Sequence, residues 1–397
     1  MSNLRAVLER EAAEVRTYDV GANVLRAARR RRRLRTVTSA TAVVAVLAGM
    51  AGIFVTLRPE GPTLVAADRP ATANALPWLP ETVDSTVAEP PQLPTDRGVG
   101  KGALLYQPCN QPCAARLVAQ DGTQYTLPKV AQMPPTVPRT ATLSPDGRWL
   151  SYPDASGNYL LRDLTGTKTM PTANRRAVGW SSDSTWVGLA DASSEDGVTV
   201  IKPPTETAAA RSLPADDTRP LAGLTTAGAA VFGGSEAHEV GDPDIDLYLV
   251  DDAGKGRSVP VKMEGQLGSK EDLHSGKLIR TVDDETLLVQ LMVQSDNETT
   301  QVPGDLFHID AVSGEVMARI RLPQPLSRTT VQGETATTSK GETFRTLAAV
   351  VPDGVLLKVI RDGAPVSIEL LDPATGDRST IATFKGMVAS AMVPGES

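Results

Sequence analysis

Two cysteines stand four residues apart in Cys109-Asn110-Gln111-Pro112-Cys113, and the chain of 397 residues holds no others. Three chemistries fit that spacing: a disulfide that clips a hairpin, two unpaired thiols, or a redox pair. In an oxidising compartment a cysteine pair without metal oxidises, which favours the clip, and closing so short a loop contributes about 2 kcal/mol of chain entropy. A redox pair needs a depressed thiol pKa, and the only cation close in sequence is Arg116. The densest set of hard oxygen donors is Asp242, Asp244 and Asp246 in the acidic run 236–246. Alternating carboxylates can offer ligands to Ca²⁺, but Leu247 stands where a calcium loop of the helix-loop-helix type has its glycine. A solvated acidic loop is the alternative. The three histidines, His238, His274 and His308, fall in different parts of the chain. There is no Gly-x-Ser-x-Gly elbow, His-Glu-x-x-His pair, phosphate-binding loop or dinucleotide fingerprint. No catalytic residue and no cofactor is expected.

Other conspicuous residues read as structural. Asp146-Gly147 and Asp353-Gly354 each follow a proline, and such triplets supply the positive-φ turn between two antiparallel strands. They are expected as repeat turns rather than catalytic acids. Trp149, Trp180 and Trp186 recur at repeat positions and are expected to pack between sheets, with an aromatic binding platform as the alternative.

The elements that must carry these residues form a repeat over 103–393. Its clearest copy runs from Ala141 through Leu143-Ser144-Pro145-Asp146-Gly147-Arg148-Trp149 to Gly166, and the next from Ala177 to Ile201. Third strands align at 116–122, 160–166, 198–201, 247–251, 306–310 and 368–372. Turn glycines follow them at Gly122, Gly166, Gly254, Gly314 and Gly376. These glycines are 44, 88, 60 and 62 residues apart, and the interval of 88 leaves room for one further copy. That makes six units. A four-stranded unit cannot cover both of its faces, and radial stacking covers each with its neighbours. The expected fold class is all-β: a six-bladed β-propeller of four-stranded blades, preceded by a helical cytoplasmic stub and one transmembrane helix. The first unit lacks an inner strand, and the chain ends on an apolar strand, 387–393, with no unit of its own. That strand is expected to complete the first blade.

The segment 143–152 resembles the repeat motif of WD40-like, TolB-type six-bladed β-propellers. The resemblance is good over 141–166, fair over 177–201 and topological elsewhere. The whole layout is also similar to a group of little-characterised single-pass actinobacterial membrane proteins. Since TolB-type propellers mostly bind proteins or peptides, the resemblance implies binding more than chemistry.

Charge and hydropathy place the ring. The chain has 40 Lys and Arg against 47 Asp and Glu, a net charge of −7, which argues against a nucleic-acid partner. Residues 1–35 nevertheless hold ten arginines and four acids. The 22 residues 36–57 carry no charge, and at 1.5 Å each they reach about 33 Å, enough to cross a hydrocarbon core of about 30 Å. The arginine cluster Arg29–Arg35 puts the N-terminus in the cytoplasm and the propeller outside the cell membrane. Residues 58–102 are rich in proline and read as a semi-extended extracytoplasmic linker, although Trp78 suits packing better than a free linker. The expected domains are therefore the stub 1–35, the span 36–57, the linker 58–102 and the propeller 103–394. Such a chain fits a membrane-anchored scaffold for an extracytoplasmic protein or peptide ligand. The alternative is a transmembrane signalling protein whose stub holds a cytosolic regulator such as an extracytoplasmic-function sigma factor, because Leu4, Val7, Leu8, Ala12 and Val15 recur at helical spacing.

Overall fold

A computed structural model describes residues 63–65, 67–68, 76–109, 113–128, 141–191, 197–204, 211–212, 221–233, 244–251, 253–263, 277–294, 301–322, 330–332, 335–337, 343–351, 353–361, 364–373 and 375–396. The expected stub and membrane helix lie outside these residues. Among the described residues no helix is long and apolar enough to cross a membrane.

Six antiparallel meanders follow one another, each numbered here from its inner strand outward. Blade 2 comprises Thr142–Leu143, Trp149–Pro153, Tyr159–Asp163 and Thr169–Pro171, and blade 3 comprises Arg175–Trp180, Val187–Asp191, Val198–Ile201 and Arg211–Ser212. Blade 4 is Leu221–Leu224, Ala230–Gly233, Asp244–Val250 and Gly256–Lys262. Blade 5 is Lys277–Thr281, Thr286–Gln294, Gln301–Asp310 and Val316–Arg321, and blade 6 is Thr343–Val351, Gly354–Arg361, Ser367–Leu371 and Asp377–Lys385. Blade 1 is assembled from both parts of the chain: the C-terminal strand Ser390–Met392 lies inside Gly102–Gln107, Arg116–Ala119 and Gln124–Thr126. The chain is a six-bladed β-propeller.

Several central strands are continuous apolar runs because their sheets are covered on both faces. Val198–Ile201 and Ala230–Gly233 are buried at all four positions. Successive residues feed different cores: Leu104 and Val118 pack toward blade 6, whereas Leu105 and Leu117 pack toward blade 2. Likewise Leu288 enters the core shared by blades 5 and 6, while Leu287 and Val289 enter the one shared by blades 4 and 5. Six such clusters result, one at each junction of the ring. Each fully buried Leu, Val or Phe contributes about 1.5–3 kcal/mol.

The described parts of the segment expected as a semi-extended linker form a strap along the rim. Thr63–Val65 pairs in parallel with Arg319–Arg321 of blade 5, and Ala67–Asp68 and Thr82–Asp84 pair in parallel with the outer strand of blade 6. The chain then exchanges backbone hydrogen bonds with Thr126 of blade 1 and donates from Val99 N–H to Leu164 O of blade 2 (2.7 Å). Leu76, Leu79, Val83 and Leu93 are buried, and Trp78 packs against the junction of blades 6 and 1. Two arginines fasten the strap. Arg116 donates to the carbonyls of Val87 (2.6 Å) and Ala88 (3.1 Å), and the buried Arg162 donates to those of Pro94 and Arg97. Proline suits this role because it lacks the N–H that a continuous ladder would use. The strap also covers outer edges that would otherwise template association with another chain.

The seam between blades 6 and 1 is thus held inside by Ser390–Met392 and outside by the strap. Removing residues 386–397 takes away the inner strand of blade 1 and the buried Ala391 and Val393. The melting temperature of the truncated chain is expected to fall by roughly 10 °C or more. Unchanged melting would refute this closure.

Candidate functional site

The ring has two unlike ends. At the turn end the first strand of blades 2 to 6 joins its second, and in every blade the third joins its fourth. At the loop end the second strand joins the third, and each blade passes to the next. The central opening between them is bounded by the six inner strands.

At the turn end blades 2 and 3 use one hydrogen-bond pattern. Ser144 Oγ donates to Asp146 Oδ1 (2.7 Å) and accepts from Trp149 N–H (2.9 Å), while Arg148 N–H donates to Asp146 Oδ1 (3.0 Å). Ser181, Asp183, Thr185 and Trp186 repeat this, in the same order, at 2.6, 2.9 and 3.0 Å. Gly147 takes φ 71°, and a Cβ there would lie 2.0 Å from Gly102 O. Asp353 stands in the turn between Val351 and Gly354, which pair across the hairpin. Asp146 and Asp353 therefore sit in hairpin turns of blades 2 and 6.

A second carboxylate series follows the third strands. Asp121, Asp163, Asp251, Asp310 and Asp372 each accept a backbone N–H two or three residues ahead, closing the turn to the fourth strand. The five marker glycines all lie in these turns. Burial alone would raise the Asp163 carboxyl, but Arg148 (Nη2 to Oδ2, 2.6 Å) and Thr165 outweigh it and hold the pKa below the ordinary carboxylate value. Burial is likewise outweighed at Asp183 by Ser181 and Thr185, and at Asp284 by Thr226 and Ala227. The Ser313 and Val312 N–H groups hold Asp310 low against a burial penalty.

The turns between first and second strands also link the blades. Asp146 N–H donates to Ser184 Oγ (2.8 Å), Trp186 Nε1 donates to Thr226 O (3.1 Å), and Thr226 Oγ1 and Ala227 N–H donate to Asp284 (2.7 and 3.1 Å). Blades 2 to 5 are thereby joined in series. At the inner rim Gly395 N–H donates to Leu143 O of blade 2 (2.9 Å), and the buried Glu396 pairs with Lys358 of blade 6 (2.8 Å).

The loop end holds the cysteines. Cys109 and Cys113 are joined by a disulfide, with Cα atoms 5.9 Å apart, across the hairpin of blade 1. Gln107 Nε2 donates to Cys113 O (3.3 Å), and Ala389 N–H donates to Gln107 O (2.8 Å), so the clip adjoins the closing strand. Asp244 and Asp246 lie two residues apart in the third strand of blade 4, with Lys262 and Pro260 as Cα partners. Asp242 lies outside the described residues. Among the described residues no group of three His, Cys, Asp or Glu could hold a metal ion. Trp149 and Trp180 are buried in the core between blades 2 and 3, and Trp186 packs partly buried between blades 3 and 4. Of the histidines, His308 lies in the third strand of blade 5, where burial lowers its pKa, and His238 and His274 lie outside the described residues.

One group was not singled out from sequence: the cations of the inner strands. Arg175 and Arg176 begin the inner strand of blade 3, Lys277 and Arg280 lie on that of blade 5, and Arg345 on that of blade 6. Only the strand order shows that these segments border the opening.

The chain matches no protein-family model and no curated protein. Among solved structures it is similar to U3-55K, at 11% identity over 69% of this chain and 79% of that one with a TM-score of 0.37. It is similar to TolB from Acinetobacter baumannii at 12% identity over 71% and 68%, TM-score 0.36, and to an oligogalacturonate lyase in complex with manganese at 14% over 74% and 64%, TM-score 0.25. Blade number and closure rest on the strand pairing of this chain.

A carboxyl whose pKa is lowered by folding stabilises the fold above its unfolded value and loses that contribution as pH falls through the folded value. Melting is therefore expected to be flat from neutrality to about pH 4 and to fall steeply below it. Asp163→Asn should cost about 1–3 kcal/mol at pH 7 and the exposed Asp284→Asn about 0.5–1 kcal/mol, and both should flatten the acid limb. A wild-type acid limb retained in both variants would contradict this assignment. Alkylation of the unreduced protein should add no mass at Cys109 or Cys113, and a gain of two adducts would exclude the clip.

Proposed function

We propose that this chain is a membrane-anchored, extracytoplasmic binding scaffold with no catalytic step, whose ligand is a protein or peptide taken at the loop end or opening of the ring. The observation that carries the reading is the asymmetry of the two ends. At the turn end most connections are short and hydrogen-bonded to their neighbours. At the loop end three connections between blades are long: 15 residues separate Thr126 from Thr142, 14 separate Lys262 from Lys277, and 21 separate Arg321 from Thr343. Long segments mounted on a rigid frame are where binding surfaces concentrate. The uncharged segment 36–57 behind an arginine cluster supports the anchor.

A second reading, in which the stub 1–35 holds a cytosolic regulator, is supported by the helical spacing of Leu4, Val7, Leu8, Ala12 and Val15. It uses the same anchor and assigns the ring the role of sensor.

Protease added to intact cells should degrade the ring or release it while epitopes within residues 1–35 stay protected, and the full chain should float with membranes after carbonate extraction. A ring protected in intact cells, or a chain extracted by carbonate, would refute the anchored extracytoplasmic reading.

A further inference from the structure

We propose that the central opening holds a binding site for an acidic turn of a protein or peptide partner, and that the chain's own turn Val393–Glu396 fills that site in this structure. The inference deepens the binding-scaffold reading and rests on it, because it names what the opening takes. It starts from the four residues that follow the closing strand. Val393, Pro394 and Glu396 are buried, and Gly395 is half-buried. Glu396 N–H donates to Val393 O (3.1 Å), and Gly395 takes φ 81°. Proline at the second position and glycine at the third suit the backbone of such a turn.

Two contacts place the turn in the opening. Ser144 N–H donates to Trp149 O (2.9 Å) in the second strand of blade 2. Backbone groups alternate in direction along an antiparallel ladder, so Leu143 O points away from that strand and into the opening. Gly395 N–H donates to this carbonyl (2.9 Å). A Cβ at Gly395 would lie 3.2 Å from Pro145 Cγ of blade 2 and 3.6 Å from Ala349 Cβ on the inner strand of blade 6. The turn therefore bridges blades 2 and 6 across the inner edge of blade 1.

The carboxylate is the specific element. Glu396 Oε1 meets Lys358 Nζ at 2.8 Å, and Oε2 accepts Val393 N–H (3.1 Å). Lys358 lies on the second strand of blade 6, two residues after Leu356, which packs toward blade 1. The Glu396 side chain is only 4% exposed and that of Lys358 16%, so both charges are largely desolvated. Desolvation offsets much of the attraction in such a pair, and ring closure gains little from it. Closure is already served by Ala391 and Val393, which complete the apolar junction of blades 6 and 1. What the pair supplies is recognition of a carboxylate held beside a Pro-Gly turn. A resident turn on its own tether acts at a high effective concentration, and a partner must displace it to enter. The occupant thus defines the ligand: a turn that presents glutamate directly after Pro-Gly, with Lys358 as the cation that reads it.

The test uses the full chain in detergent micelles beside a variant that ends at Val393. Each is titrated calorimetrically with acetyl-Pro-Gly-Glu-Ser amide and with acetyl-Pro-Gly-Gln-Ser amide. The Glu peptide should bind the shortened chain at least about tenfold more tightly than the full chain, where the resident turn competes. The Gln peptide should bind the shortened chain about tenfold more weakly than the Glu peptide, the size of one lost charge-assisted hydrogen bond. Lys358→Met in the shortened chain should abolish that preference, and Lys168→Gln on the outer turn of blade 2 should leave it unchanged. No binding to the shortened chain, equal binding of the two peptides, or a preference that survives Lys358→Met would overturn the inference. Should the shortened chain fail to fold, hydrogen exchange of the full chain decides. The Gly395 amide should exchange by local opening in denaturant that leaves Leu150 and Leu161 protected, and a Gly395 amide that opens only with them would refute a displaceable turn. Failure here with membrane flotation and the protease pattern intact removes only this site, whereas a ring protected in intact cells removes the scaffold reading itself.

Discussion

Every blade of this ring is a sheet with two apolar faces, and only another blade can cover each of them. That constraint governs the rest of the molecule. It explains why strand residues one apart enter different cores, as Leu104 and Leu105 do, and why the cores number one per junction. An open row of the same blades would leave two sheet faces in water. Since each buried aliphatic side chain is worth about 1.5–3 kcal/mol, the last junction outweighs the entropy of bringing the chain ends together.

The seam carries the heaviest reinforcement for the same reason. Ser390–Met392 completes blade 1 from inside, Glu396 reaches Lys358 of blade 6, and the Cys109–Cys113 clip sits beside the closing strand. Outside, the strap crosses blades 5, 6, 1 and 2 in turn. On the turn end the aspartates work as turn acceptors and links between blades, so a face rich in carboxylate is not thereby a metal or catalytic site. A rigid ring with long connections gathered at one end suits recognition.

Much of this was legible in sequence because the repeat is punctuated by turn chemistry. Gly122, Gly166, Gly254, Gly314 and Gly376 all fall between third and fourth strands, and the Asp that precedes each glycine closes its turn. Four of the five take positive φ, and Gly166 is the exception. The unpaired apolar strand at the C-terminus was visible because it had no repeat of its own. The strap was not. Leu76, Leu79, Val83 and Leu93 show no period, since each docks separately on the rim, and proline density alone suggests a free chain. The place of the inner-strand cations was hidden for a different reason. Arg175 and Lys277 look like ordinary surface charges until pairing shows which strands lie innermost, and tertiary order of that kind leaves no local mark.

The central claim is closure of the ring by the C-terminal strand, and amide hydrogen exchange reads it residue by residue. Those amides of residues 390–392 that donate to Gly102–Gln107 should exchange as slowly as those of Leu150 and Leu161 in blade 2, and all should open together in rising denaturant. Rapid exchange at 390–392 while blade 2 stays protected would contradict a closed ring.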